Sequence, residues 1–268
     1  MKITVFTSNQ PRHSAYISQL SKVADSVHVV MESNTVFPGK VRDFFDNSKV
    51  MQDYFANVVE SERRVFGGLS FTPHNVHVLA LKAGDLNYLQ RVDLHAALDA
   101  DYYLVFGSSF IKGWLVEELV QNGAVNIHMG LSPYYRGSSC NFWAMHDNLP
   151  NFVGATVHKL SRGLDSGPIL FHSRPKFHGQ HGFDFTMEAV LTVQQKIVEE
   201  IASGKLLSRV GVDQKLDQQI RYSRNDEFTD RVAREYLDRN HSPDLLEELP
   251  EELPEELLGN SPDPELHS

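Results

Sequence analysis

Short apolar runs at Lys2–Phe6, Val27–Met31, Val76–Leu81, Tyr102–Phe106 and Ala124–Ile127 recur through the first half of this 268-residue chain, with helical stretches between them. Strands separated in this way cannot close as tight hairpins and need crossover connections, which a parallel sheet supplies. The order predicts an α/β fold: a doubly wound, mostly parallel sheet covered by helices on both faces. In Lys49–Phe66 the apolar residues Val50, Met51, Tyr54, Phe55, Val58, Val59 and Val65 follow helical spacing. The stripe of Met187, Val190, Leu191, Ile197, Val198 and Ile201 predicts a second long helix over Phe185–Ser203. Strands around Gly154–Leu160 and Ile169–Pro175 are expected to run antiparallel. A chain of this length fills one such core.

The last of the first five strands carries the chemistry. Side chains alternate along Ala124-Val125-Asn126-Ile127, so Asn126 and His128 share a face while Ile127 takes the other. Ligands of open parallel sheets bind beyond the carboxyl ends of the strands, where this strand delivers both groups. An amide donates to a developing oxyanion, an imidazole with an ordinary pKa of about 6.5 moves a proton near neutrality, and a carboxylate orients it. Asp165, within Gly163-Leu164-Asp165-Ser166-Gly167, is the candidate carboxylate. An Asn-x-His pair at a strand end is by itself more often a satisfied turn. Here it is followed by a rigid polar loop, Pro133-Tyr134-Tyr135-Arg136-Gly137, by an apolar helix face opened by Trp143, and by an alternating strand, Thr156-Val157-His158.

The order N-x-H, P-x-Y-R-G, W-A, G-x-T-x-H and D-x-G-P-I-L across Val125–Leu170 resembles the folate-dependent formyltransferase family, with a weaker likeness from Lys2 to about Leu206. The resemblance implies a Rossmann-like catalytic domain with Asn126, His128 and Asp165 as its catalytic triad and N10-formyltetrahydrofolate as donor. It further implies that the turn Phe106-Gly107-Ser108-Ser109-Phe110-Ile111 holds the pterin through backbone groups, that Gly107 permits the close approach, and that Asp165 also contacts the folate. His158 matches a recurring position beside the site, in a supporting part. One departure is local: many relatives have proline three residues after the Arg-Gly, where this chain has Ser138-Ser139-Cys140.

Members of that family formylate glycinamide ribonucleotide, methionyl-tRNA or nucleotide-linked amino sugars. The net charge of −10 reads as hostile to nucleic acid, yet nine carboxylates and no Lys or Arg fall in Asp244–Ser268, leaving 26 acidic against 25 basic side chains elsewhere. A near-neutral body still lacks the basic footprint of a nucleic-acid binder. The segment after Leu206 is also shorter than the C-terminal barrel of methionyl-tRNA formyltransferases, so no nucleic-acid partner is expected. The stretch Gln219-Ile220-Arg221-Tyr222-Ser223-Arg224-Asn225-Asp226 resembles a segment of the sugar N-formyltransferase branch. TVFTSNQPRH and VMQDYFANVVESERRVF resemble the members of that branch acting on GDP-perosamine. The acceptor implied is a 4-amino-4,6-dideoxyhexose on a nucleoside diphosphate, destined for a lipopolysaccharide O-antigen. Asn9, Gln10 and Arg12, with His13, sit where the first strand meets the first helix and are candidates for the diphosphate; Tyr135, Arg136 and Gly137 are candidates for the acceptor by resemblance. Arg63 and Arg64 read as the wet face of a helix. The alternatives are a methionyl-tRNA formyltransferase-like enzyme, a formyltetrahydrofolate hydrolase using the same triad on water, and a non-catalytic nucleotide-sugar binder.

The expected organisation is a catalytic domain over residues 1–206, a C-terminal extension over 207–240 and an acidic tail over 241–268. That tail repeats Glu-Glu-Leu-Pro, which breaks any long helix and suits a disordered, solvating segment. A single cysteine, Cys140, precludes an intramolecular disulfide and suits a reducing cytoplasm. No apolar run reaches membrane-spanning length, and no signal h-region opens the chain, so a cytoplasmic protein without membrane partners is expected. His74-x-x-His77 and His178-x-x-His181 lack ligand spacing, and no metal is expected. A homodimer is implied by the resemblance.

Overall fold

The computed structural model describes residues 1–35 and 47–239; the expected disordered tail over 241–268 lies outside the described residues. The first half builds β1 (Lys2–Ser8), α1 (Pro11–Leu20), β2 (Ser26–Ser33), α2 (Lys49–Phe66), β3 (Val76–Lys82), β4 (Tyr102–Phe106), α3 (Gly113–Gln121) and β5 (Val125–His128). The second half adds β6 (Tyr135–Gly137), α4 (Cys140–His146), β7 (Ala155–Lys159), β8 (Ile169–Ser173), α5 (Gly182–Ala202), β9 (Arg221–Ser223) and α6 (Asp230–Asp238). A seven-stranded sheet runs β3-β2-β1-β4-β5-β7-β8. Its strands are parallel from β3 through β5, after which β7 and β8 are antiparallel, as the sequence pattern predicts.

The reversal of order at β1 and β4 opens a crevice beyond the ends of β1, β4 and β5, where the site lies. β1 is buried along nearly its whole length, the mark of a central parallel strand covered on both faces. One face carries Ile3, Val5, Leu104, Val125 and Ile127 against Tyr16 and Leu20 of α1 and Val193, Ile197 and Ile201 of α5. The other carries Phe6, Val30, Tyr103 and Val105 against Leu115 and Leu119 of α3.

Helix ends obey local chemistry. The Ser48 hydroxyl accepts from Met51 N at 3.2 Å to start α2, and Gly67 ends it by donating to the Arg63 carbonyl at 2.9 Å. The α5 helix starts at Gly182, before the expected Phe185, because the His181 ring accepts from Phe183 N at 3.3 Å. A histidine is not among the usual start signals.

Two segments differ from the sequence pattern. Between β3 and β4 no α-helix forms among the described residues; a 3-10 turn at Asp85–Tyr88 and successive turns take its place. Side chains satisfy that backbone instead: the Asp93 carboxylate accepts from Gln90 N at 2.8 Å, and Tyr103 Oη donates to the Leu98 carbonyl at 2.5 Å. The stretch read as a polar loop, Tyr135-Arg136-Gly137, is a strand paired in parallel with Arg221-Tyr222-Ser223. That pairing spans too much chain for local spacing to show it.

The second cluster of buried residues joins α2, α4, α5 and α6 through aromatic rings. Phe142 lies 4.8 Å from Phe228, 4.9 Å from Tyr236, 5.0 Å from Trp143 and 5.7 Å from Tyr54, centroid to centroid. Arg221 adds a guanidinium 3.6 Å over the Trp143 ring and ion pairs to Asp147 and Glu227. The segment after α5 is thereby fastened to the body. Phe142→Ala should cost roughly 3–5 kcal/mol of unfolding free energy, measured by urea denaturation; a loss under ~1 kcal/mol would show that the cluster does not carry this docking.

Candidate active site

The register of β5 against β7 sets His158 directly across from Asn126 and Thr156 across from His128. Asn126, His128 and His158 therefore gather on one patch at the end of the sheet. The β7–β8 connection folds back over it and delivers Asp165, whose φ of 45° lies in the left-handed region. Asp165 Oδ1 accepts from Asn126 Nδ2 at 3.0 Å, and Asp165 Oδ2 lies 3.2 Å from His128 Nδ1. The structure thus brings together all three residues that the sequence singled out.

His158 is the fourth member. Its Nδ1 lies 2.9 Å from the Lys159 carbonyl, which can only accept, so Nδ1 carries the proton and Nε2 accepts from Asn126 Nδ2 at 2.9 Å. Both amide hydrogens of Asn126 are therefore committed, one to His158 and one to Asp165. An inverted amide would set its oxygen against the carboxylate, which fixes the orientation.

His128 is buried, and its second nitrogen, Nε2, lies 3.4 Å from the Tyr135 carbonyl and 3.5 Å from Cys140 Sγ. Burial opposes the charged ring, but the hydrogen bond and charge of Asp165, with Cys140 alongside, outweigh it and raise the His128 pKa well above the ordinary imidazole value. Burial likewise pushes Asp165 up, while the hydrogen bond and charge of His128 win and hold it well below the usual carboxylate range. Both shifts favour an imidazolium paired with a carboxylate, where sequence alone offered only the ordinary imidazole pKa to reason from. Cys140, whose place beside His128 no local signal announces, arrives because α4 follows β6 directly.

The triad lines a cleft of about 270 Å³ together with Phe106, Gly107, Ser108, Ser109, Phe110 and Ile111, the six residues expected to hold the pterin. Phe110 and Leu164 are exposed apolar side chains among its lining residues. Beneath the loop, His13 Nδ1 lies 2.8 Å from Thr7 Oγ1, which donates to the Phe106 carbonyl at 2.7 Å. Burial, helped by the Arg12 charge, pushes the His13 pKa well down. Gly107 has a φ of 72°, and a Cβ there would meet His13 Cε1 at 2.5 Å, so the turn requires glycine. Glu32, fully buried, accepts from Gly84 N at 2.8 Å and from Ser109 N at 2.5 Å, bracing the loop from the far side. Sequence reasoning missed this brace because a Glu at a strand end looks like any solvated residue.

Asn9, Gln10 and Arg12 are not among the residues lining this cleft. Asn9 Oδ1 accepts from Asn34 N at 2.9 Å, Gln10 caps α1, and the Arg12 guanidinium is spent on buried Glu62 at 2.8 Å. Tyr135 reaches the site through its carbonyl, and Arg136 extends Nη2 toward the Leu164 carbonyl and Nη1 toward Gln219, each at 3.5 Å. Among the described residues no carboxylate pairs with Arg136, and its Nε is buried without a partner.

A model of the formyl transferase family matches residues 1–202. The chain belongs to the formyl transferase family. As a fold, this formyl transferase superposes on a 4-N formyltransferase from Francisella tularensis with a TM-score of 0.52 at 18% identity, over 88% of this chain and 86% of that one. It superposes equally, with a TM-score of 0.52 at 11% identity, on an N-formyltransferase from Helicobacter canadensis in complex with folinic acid and dTDP-3-aminofucose, over 88% of this chain and 79% of that one. In sequence it is 27% identical over 129 residues to a methionyl-tRNA formyltransferase from Thermosynechococcus vestitus, covering 45% of this chain and 39% of the relative. The chain spans about half the length of the curated relatives it matches. No described helix of the formyl transferase is long and apolar enough to cross a membrane.

The raised His128 pKa and the lowered Asp165 pKa set a sign for stability. The Asp165 contribution is present above about pH 4 and is lost as pH falls below it; the His128 contribution is full below about pH 6.5 and is lost as pH rises through its folded value. Unfolding free energy should therefore decline from pH 6.5 upward more steeply in the native chain than in His128→Gln, measured by urea denaturation across pH 5–10. Parallel curves would show that the pair carries no net linkage.

Proposed function

We propose that this protein transfers a formyl group from N10-formyltetrahydrofolate to the amine of a nucleotide-linked 4-amino-4,6-dideoxy sugar, GDP-perosamine being the favoured acceptor. The observation that carries the reading is the convergence of Asn126, His128 and Asp165 in one cleft with the Phe106–Ile111 loop. Val105, Ile111, Met129 and Leu160 line that cleft beside backbone polar groups, a composition that suits a flat heteroaromatic ring system.

When bound, the folate supplies an activated formyl carbon on a nitrogen that must leave protonated. Asn126 and protonated His128 would donate hydrogen bonds to the formyl oxygen as it gains charge. Because neither Asn126 hydrogen is free at rest, the one held by Asp165 is exchanged for the formyl oxygen, while the His158 contact keeps the amide oriented. His128 would give its proton to the departing nitrogen and recover one from the attacking amine, with Asp165 stabilising the charged ring at either end.

Support for a nucleotide-linked acceptor lies along the β6–β9 pair. Arg136, uncommitted to any carboxylate among the described residues, sits there with half-exposed Tyr222, a cation and an aromatic face at the mouth of the loop. They suit a nucleoside diphosphate better than Arg12, which Glu62 already neutralises. The same reading places the activity in O-antigen synthesis, in a cytoplasmic homodimer.

Purified protein should consume N10-formyltetrahydrofolate only when an amine acceptor is added, fastest with GDP-perosamine in a panel of GDP-, dTDP- and UDP-linked 4-amino sugars. Asn126→Ala should lower kcat by about 10²–10³-fold. Formylation of methionyl-tRNA alone, or formate release without acceptor, would replace the sugar assignment; near-normal turnover by Asn126→Ala would overturn the site.

A further inference from the structure

We propose that Gln214 is a positioning residue for the catalytic loop, holding Asp165 against Asn126 and His128 from outside the family-matched span. This rests on the reading of Asp165 as part of the transfer site. Asp165 is gripped on its side-chain end by Asn126 and His128, but its backbone adopts a left-handed φ of 45° that a non-glycine residue leaves readily. Something must hold the peptide as well as the carboxylate.

Gln214 Nε2 donates to the Asp165 carbonyl at 2.8 Å and to the Gly167 carbonyl at 2.9 Å, so one side-chain amide clamps the carbonyls of the residues on either side of Ser166. Both donor hydrogens are used. Its Oε1 is buried without a partner among the described residues, and an inverted amide would press that oxygen against two carbonyls, so the orientation is unambiguous. Leaving a buried Oε1 unsatisfied costs free energy, which the two bonds to the loop carbonyls offset.

The clamp is delivered rigidly. Ile169 and Val212 exchange backbone hydrogen bonds at 2.7 and 2.8 Å, which ties the chain two residues before Gln214 to the first residue of β8. On the loop side, a Cβ on Gly167 would meet the Lys159 carbonyl oxygen at 1.8 Å, so the loop closes onto β7 without slack. Asp165 is thus pinned between β5 and a segment beyond residue 202, the end of the family match. Truncating the Gln214 side chain frees the outer grip and alters no residue that itself lines the cleft.

The test uses the full chain as Gln214→Ala, Gln214→Glu and Asp165→Asn, with hydrogen–deuterium exchange over residues 160–168 beside steady-state kinetics across pH. In Gln214→Ala, exchange in 160–168 should rise while β5 stays protected, and kcat/KM should fall roughly 10- to 100-fold. The alkaline limb of the pH profile should move to lower pH, because His128 loses a fixed carboxylate. Gln214→Glu, which keeps the length of the side chain but sets carboxylate oxygens against the two carbonyls, should be impaired at least as much. Wild-type exchange in Gln214→Ala, or faster exchange with an unmoved pH limb, would overturn the positioning role. Full activity in Asp165→Asn would instead overturn the reading of the transfer site, and would do so whatever the exchange data show.

Discussion

One partly buried carboxylate organises this site. Asp165 lies against His128 Nδ1 at 3.2 Å and accepts from Asn126 at 3.0 Å, and its charge settles what each neighbour can do. It keeps the His128 ring protonated against the penalty of burial and turns the Asn126 amide nitrogen toward the cleft. Without that charge burial would weigh against a charged His128, and only the His158 contact would orient the Asn126 amide.

The fold supplies the precision that such a charge demands. Asn126 and His128 stand two residues apart on a strand buried in a continuous sheet, so their spacing is set by strand geometry and not by loop conformation. The antiparallel partner β7 places His158 in register beside Asn126, and the β7–β8 loop brings Asp165 onto the same patch. The Phe106–Ile111 loop is held separately, by His13 and Thr7 from below and by Glu32 from behind. Chain distant in sequence, the β6–β9 pair, brings Arg136 toward the Leu164 carbonyl of the Asp165 loop.

Much of this was legible in the sequence, and what was not has common causes. Strand positions, the α2 boundaries and the shared face of Asn126 and His128 follow from periodicities that the backbone enforces locally. The cleft residues Phe106–Ile111 and Asp165 came from resemblance to the family, which encodes long-range proximity that periodicity does not. The helix expected between β3 and β4 failed because Asp93 and Tyr103 satisfy that backbone in another way. Arg12 read as a candidate for the diphosphate because its buried partner Glu62 lies 50 residues away in sequence. The raised His128 pKa, the Cys140 contact and the Glu32 brace all depend on three-dimensional neighbours, so spacing carried no sign of them.

The most direct measurement is the titration of His128 by heteronuclear NMR of selectively labelled imidazole rings in the native chain and in Asp165→Asn. An ion pair at the centre of the site predicts a His128 that remains an imidazolium at pH 7 in the native chain and whose pKa drops when the carboxylate is neutralised. A ring that is neutral at pH 7, or one whose titration is the same in both proteins, would contradict the account.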